Sequence, residues 1–303
     1  MSANIPTHYA TEFSRNIDLL LQQTNSRLSD KVDRGTHSGD KASPVDQIGK
    51  VEMQDITTRF SPMNRVDAPT ERRWVFPTSS DLPQLIDTFD QLKLITDPKS
   101  KYVQNAVNAA NRRLDRHIIG AFFATSATGV AGAGTEAFGT TVTTSGGQNV
   151  SVDLGGAASG LNVAKLREAR KTLMAADVDL EMEPLYCAVT AKQHDNLLGE
   201  IQVISLDFND RPVLVDGKIT EFLGIRFVHT ELLGTGTDDQ TGTSRAVPVW
   251  TPRGMHLGTW QTQVTDISQR KDLHSLPWQA YVMMTAGATR LELERVIRIW
   301  CRE

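Results

Sequence analysis

At 303 residues, with 39% hydrophobic and 22% charged side chains, the chain has a globular composition and is long enough for one large domain or two modest ones. Lys+Arg 32 against Asp+Glu 36 leaves a net charge of -4, so no overall basic field argues for nucleic-acid binding. Cys187 and Cys301 form no CxxC and no metal-ligand spacing, which excludes a disulfide framework and a zinc site and fits a reducing cytoplasm.

The first residues, "MSANIPTHYATEFSRN", have no basic region followed by an apolar core, so no signal peptide is expected. No apolar run approaches the roughly 18 residues that a membrane span needs. Residues 1–45 read as an arm. Phe13, Ile17, Leu20, Leu21 and Leu28 make one helical stripe, and "SDKVDRGTHSGDKASP" then runs polar. Such a segment orders by lying on something else, another subunit included, or else it is a frayed terminus.

Residues 46–80 read as a long hairpin. "KVEMQDITTRF" alternates, placing Val51, Met53 and Asp55 on one face; "SPMNRVDAP" supplies turn residues; "ERRWVFP" returns as a strand. Its apolar alternation is too poor to bury a face in its own core, so a projecting hairpin that finds partners by assembly is expected. Next, Asp97 suits an N-cap and Pro98 a first helical position. Val103, Val107, Ala110, Leu114, Ile118 and Phe122 then predict an amphipathic helix to about residue 124, on the order of 40 Å long. Arg112, Arg113 and Arg116 fall on or beside its polar side.

Residues 124–160 are rich in Gly, Ser, Thr and Ala, a composition that predicts a mobile loop with at most one weak hairpin. After them Asn162 caps a helix bearing Leu166, Ala169 and Leu173, and "LYCAVT" is a short buried strand. Thr190 and Gln193 form a capping-box pattern opening "AKQHDNLL". Asp216-Gly217 marks a tight hairpin. "LGIRFVHT", "AVPVW", "WQAYVMMTAGA" and "RVIRIWC" are further strands, the last with Ile297, Ile299 and Cys301 on one face. No internal repeat and no parallel βαβ series is visible, so the class is α+β.

No arrangement forces a catalytic reading. Gly129, Gly132, Gly134 and Gly139 lack the strand-to-helix setting of a nucleotide loop. There is no GxSxG and no HExxH, and no two histidines share a metal-binding helix face. His194-Asp195 reads as a solvated pair. Asp115 and His117, two apart on a helix, point to different sides and cannot act together. Arg112 and Arg116, four apart, are placed to share a carboxylate or phosphate, or to form a plain solvated face. No catalytic residue, cofactor or metal is assigned.

The order of parts resembles the major capsid proteins of tailed bacteriophages, with the Hong Kong 97-like fold. "SPVDQIGKVEMQDITTRF" and "ERRWVFP" look like the E-loop, and "LIDTFDQLKLITDPKSKYVQNAVNAANRRLDRHIIGAFF" like the approach to the spine helix and its body. "YCAVTAKQHDNLL" and "VDGKITEFLGIRFVHTELL" look like the axial domain, and "WQAYVMMTAGATRLELERVIRIWC" like the last peripheral strands. The resemblance implies an N-terminal arm (1–45), an E-loop (46–80) and a peripheral domain with the spine helix (81–125). An axial domain with the glycine-rich insertion (126–254) and closing peripheral strands (255–303) follow. It implies a structural, non-enzymatic subunit of an icosahedral virion shell, built of hexamers and pentamers around double-stranded DNA and assembled in the bacterial cytoplasm. Portal and decoration proteins are further partners of such shells.

About 45 residues before the hairpin are too few for a scaffolding domain, so a separate scaffolding protein is expected. No pattern carries over the covalent cross-linking of some relatives, so non-covalent shells are expected. Arg72, Arg73 and Trp74 are the candidate subunit contacts, since Arg and Trp anchor interfaces. Arg112, Arg113 and Arg116 are candidates for a neighbour or the lumen. On this reading Arg72→Glu with Arg73→Glu leaves the subunit folded and blocks assembly. An encapsulin-like compartment and a nucleotide-binding enzyme using the glycine-rich stretch are the competing readings.

Overall fold

The computed structural model describes residues 22–42, 46–55, 58–59, 63, 65–86, 99–139, 148–155, 159–200, 219–238, 240, 242–274 and 276–303. The stripe from Phe13 to Leu21, Asp97-Pro98 and the Asp216-Gly217 turn lie outside these residues.

In chain order the elements are β1 (Asp33–Thr36), β2 (Asp46–Ile48), β3 (Thr70–Trp74), β4 (Thr78–Ile86), α1 (Lys99–Phe122), β5 (Ser126–Thr128), β6 (Gly134–Glu136) and β7 (Asn149–Val150). They continue with α2 (Val163–Ala175), β8 (Leu185–Val189), α3 (Ala191–Leu198), β9 (Glu221–Phe222), β10 (Ile225–His229), β11 (Thr235–Thr237) and β12 (Thr243–Trp250). β13 (Met255–Gln269), β14 (Trp278–Arg290) and β15 (Val296–Arg302) close the chain.

Three sheets organise them. A seven-stranded sheet has the order β7-β15-β12-β8-β10-β9, with β11 paired to β12. Its β15 alternates: Ile297, Ile299 and Cys301 enter the core cluster under α2 and α3 with Leu166, Leu173 and Leu197. Val296 faces the opposite side, in a second cluster with Leu28, Ile118, Phe122, Trp250 and Met255. Covering both faces explains why β12 and β15 read as continuous apolar runs. β10 lies parallel to β8, with α3 in the connection, so one parallel crossover is present where none was expected.

The second sheet, β1-β13-β14-β4, carries α1 across its face. Ala106 and Ala110 pack on Val282 and Met284, with Leu82 and Leu114 beside them. Small residues on the helix let it approach the strands closely. At 24 residues, α1 is about 36 Å long. The third sheet, β2-β3-β5-β6, joins the hairpin base to the glycine-rich segment.

Two expectations change. Residues 51–55 form no strand, and among the described residues the hairpin ladder is confined to its base, where Asp46 pairs with Arg72 and Ile48 with Thr70. Met53 is fully exposed, so nothing within the subunit pays for ordering a longer ladder. The glycine-rich segment is not only a loop. It forms the β5–β6 hairpin and sends Phe138, Val150 and Val152 into the interior. Three isolated apolar residues among small ones suffice because neighbouring elements supply the rest of the packing. The Asn162 cap forms, its Oδ1 accepting from Lys165 N at 2.9 Å, and so does the Thr190–Gln193 capping box. Among the described residues no helix is long and apolar enough to cross a membrane.

Candidate assembly interface

The base of the hairpin is fastened by the residues that sequence reading singled out, each in a different way. Arg72 forms a fork with Asp46 on the facing strand, at 2.5 and 2.7 Å. That pair is exposed, and the hydrogen bond from Arg72 holds the two charges in register across the strands.

Arg73 points the other way and is buried. Its Nε donates to Leu291 O at 2.8 Å and its Nη2 reaches Glu136 at 3.0 Å. Trp74 is half-buried, donates from Nε1 to Gly129 O at 2.7 Å, and has Lys41 Nζ 4.9 Å above its ring. Alternation on β3 decides this: residues 72 and 74 share one face of the strand and 73 takes the other.

Arg290, fully buried, completes the junction and was not visible as a site in sequence. It donates to Phe122 O at 3.0 Å and Ala124 O at 2.9 Å, and to Glu136 O at 3.3 Å. The first two are orphan carbonyls at the C-terminal end of α1, where a cation is also favoured by the helix dipole. Burial lowers the Arg290 pKa from its usual value, with Glu136 opposing the shift. One crossroads therefore ties the spine helix, the hairpin return and the β5–β6 hairpin to the end of β14.

Beyond this base the hairpin offers apolar surface to solvent. Ile48 is 74% exposed, Met53 100% and Met63 97%, with Val51 and Val66 also exposed. A cluster of apolar side chains on a projecting element marks a contact surface.

On α1, Arg112 donates to Gln22 Oε1 at 2.6 Å and Gln23 O at 3.2 Å, so it holds the arm. Arg113 reaches Ser80 Oγ at 3.2 Å. Arg116 is exposed and, with Arg113, rims a groove of about 340 Å³ lined by Ala106, Ala110 and Met284. Asp115 and His117 do diverge. Asp115 is fully buried under the arm and accepts from Gln23 Nε2, Ser26 Oγ, Arg27 N and Leu28 N. His117 is half-buried; burial and then Arg113 lower its pKa. His194 is no free surface group, since Nε2 accepts from Ile219 N at 3.1 Å. Gly129, Gly132 and Gly134 sit in and around the β5–β6 hairpin turn, not between a strand and a helix. Among the described residues no group of three or more His, Cys, Asp or Glu is placed to hold a metal.

A long helix laid on a sheet, a sheet-and-helix domain beside it, an extended arm and a projecting apolar hairpin define a shell-building subunit. The sequence profile of the phage capsid protein family matches residues 5–303, and the chain belongs to that family. No curated protein matches it. Among solved structures, the capsid of the cyanophage P-SCSP1u is similar with a TM-score of 0.70 at 14% identity, covering 96% of this chain and 92% of that one. The cyanophage Pam1 capsid gives 0.70 at 11% identity, covering 95% and 94%. Mycobacterium phage Che8 gives 0.66 at 13% identity, covering 94% of each. The fold is the Hong Kong 97-like capsid fold, and the protein is a structural, non-enzymatic capsid subunit of the virion.

Proposed function

We propose that this subunit assembles as hexamers and pentamers into an icosahedral shell around double-stranded DNA, with the hairpin lying on a neighbouring copy. The observation that carries this reading is the contrast within the hairpin. Its base is locked by Arg72, Arg73 and Trp74, while Met53, Met63 and Ile48 stand largely exposed and Val51 and Val66 about half so. A firm root and apolar side chains beyond it suit an element that reaches across a boundary, because the root fixes its direction and burial on a neighbour can offset the cost of ordering the rest.

Residues 1–45 act as the arm, 46–80 as the E-loop and 81–125 as the peripheral domain; 126–254 act as the axial domain, and of 255–303 the strands β13 and β14 belong with the peripheral domain while β15 joins β12 and β7 on the axial side. Arg72 and Trp74 supply the polar rim of the subunit contact. Arg116 is the spine-helix arginine left for a neighbour or the lumen, since Arg112 and Arg113 bond within the chain. A separate scaffolding protein, a portal and decoration proteins are the partners, contacts to DNA are non-specific, and assembly takes place in the bacterial cytoplasm without covalent cross-links.

The test is Met53→Glu with Met63→Glu, examined by electron microscopy and by circular dichroism. The expected result is a folded subunit of unchanged melting temperature that forms no closed shells. Normal particles from this variant would remove the reading.

A further inference from the structure

The arm is fastened to β13 by a chain of three side chains. β1 runs parallel to β13 with Asp33 opposite His256 and Thr36 opposite Thr259, and His37 N donates to Thr259 O at 2.9 Å just beyond. His256, buried, lies with Nδ1 2.7 Å from Asp33 Oδ2 and Nε2 2.9 Å from Nε2 of His37. The backbone makes room for the two rings. A Cβ at Gly35 would sit 2.8 Å from His256 Cε1, and one at Gly258 would sit 2.7 Å from His37 Cδ2. Trp260 stacks at 5.3 Å from His37 and donates from Nε1 to Gly39 O at 2.7 Å, closing the turn that follows.

The proton positions follow from the partners. A carboxylate only accepts, so His256 carries its proton on Nδ1 and presents the lone pair of Nε2. His37 must then donate from Nε2, leaving its Nδ1 bare. We propose that His37 and His256 form a proton-operated latch that releases residues 33–39 from β13 when both rings become charged. A first proton on His37 Nδ1 leaves the Nε2–H···Nε2 bond in place, and Asp33 balances the charge. The second proton must go to His256 Nε2, which is the acceptor itself. Two N–H groups and two imidazolium charges then face each other across the space that the hydrogen bond occupied.

The surrounding groups leave this pair in control. Asp33 is the carboxylate facing it from β1. Arg34, the next residue, turns its guanidinium to Asp30 and to Ser29 O. Trp260 on β13 is uncharged, and Thr289 stands opposite His256 on β14. Burial, and then the charge of His256, lower the His37 pKa from 6.5. The sign is therefore fixed. A released His37 takes its proton near 6.5 and the docked one only at lower pH, so protonation opposes docking, which is full above 6.5 and weakens as pH falls below it. Residues 23–28 are held by Asp115 through the backbone N–H groups of Arg27 and Leu28, and although the Arg27 guanidinium also lies on His229, its bond to His229 O does not depend on that ring, so release is confined to the β1 side of the short turn at Ser29–Lys31.

Amide hydrogen exchange of the full-length protein at pH 7.5, 6.5 and 5.5, corrected for intrinsic rates, tests the latch. Protection of residues 34–39 should fall as pH drops below 6.5, by about tenfold per pH unit down to the lowered pKa, while that of Leu28 stays constant. His37→Gln keeps an N–H donor but cannot take the proton, and its protection should be independent of pH. Constant wild-type protection, or an equal fall in His37→Gln, would overturn the proposal. Should His37→Gln be unprotected already at pH 7.5, ring nitrogen NMR of the wild type decides. Coupled two-step titration of His37 and His256 that tracks the loss of protection supports the latch, and independent titration overturns it.

Discussion

The carboxylate of Asp115, in the second half of the spine helix, accepts the backbone N–H of Leu28 at 3.2 Å. It also accepts Arg27 N at 3.0 Å, Gln23 Nε2 at 2.5 Å and Ser26 Oγ at 2.5 Å. One buried charge thus orders the arm just where Leu28 enters the core beside Ile118 and Phe122. A carboxylate buried at full hydrogen-bonding capacity is more than a surface group on a helix.

Asp115→Ala should therefore strip two backbone N–H groups and two side chains of their acceptor. The expected cost is on the order of 3 kcal/mol, from leaving buried donors unpaired. In limited proteolysis the variant should be cut after Arg27 under conditions where the parent protein is stable, and Asp115→Asn, which keeps an acceptor oxygen, should fall between. Equal cleavage of all three would show that the arm is held by other contacts.

Arg72 and Arg73 are adjacent in sequence, yet different outcomes are expected for each. Arg72→Glu faces Asp46 with a like charge in the open, so the subunit should fold with nearly unchanged stability while the hairpin base loosens and assembly fails. Arg73→Glu buries an acid beside Glu136 and leaves Leu291 O with only its longer hydrogen bond, from Gln47 Nε2 at 3.3 Å, which should destabilise the subunit itself by on the order of 3–5 kcal/mol. The double substitution would confound the two effects. Thermal melts of the single variants, set beside micrographs of their assemblies, separate them. A stable Arg73→Glu subunit would contradict its role inside the chain.

Much of the fold was legible because long amphipathic elements write themselves in period. Val107, Ala110, Ile118 and Phe122 announced the spine helix, although its packing on the sheet also rests on the fully buried Ala106, which carries too little hydrophobicity to mark a face. Ile297, Ile299 and Cys301 announced β15, although not that it joins β12 in the seven-stranded sheet instead of lying beside β14. The returning strand of the hairpin was legible in "ERRWVFP", but its partner was expected within residues 50–60 and falls instead at Asp46–Ile48. The polar anchors were not. Asp115, Arg290 and His256 find partners 80 or more positions away along the chain, and single-sequence spacing reports only neighbours within a few residues. A lone Asp inside an amphipathic stripe was the one signal available for Asp115.

The cysteines give a test of core integrity that requires no substitution. Both are free and buried. Burial pushes the Cys301 thiol up to about 12 and raises Cys187 well above its ordinary value. At pH 8 the thiolate of Cys301 is then on the order of one part in ten thousand, and the thiolate is the reactive form. Iodoacetamide at pH 8 should leave the native subunit unlabelled over hours and modify both residues in guanidinium, as read by mass spectrometry. Rapid native labelling of either would mean that the core around β8 and β15 opens readily.

Arg290 sits where α1, β6 and the end of β14 converge, and its replacement tests whether that junction sets the hairpin's direction. Arg290→Met keeps much of the volume but leaves Phe122 O, Ala124 O and Glu136 O without their donor and removes the positive charge at the helix terminus. The expected loss is on the order of 3 kcal/mol in the unassembled subunit, dominated by carbonyls left buried and unpaired. Arg290→Lys keeps the charge, but its single ammonium cannot span the three carbonyls that Arg290 reaches with two nitrogens, so it should recover part of the stability and little of the geometry. If the crossroads fixes the hairpin root, both variants should raise hydrogen exchange in β3 and β5 more than in α2, which lies far from it. A uniform rise across the subunit would instead mark Arg290 as one more core residue, and no loss at all would show that the buried carbonyls find other donors.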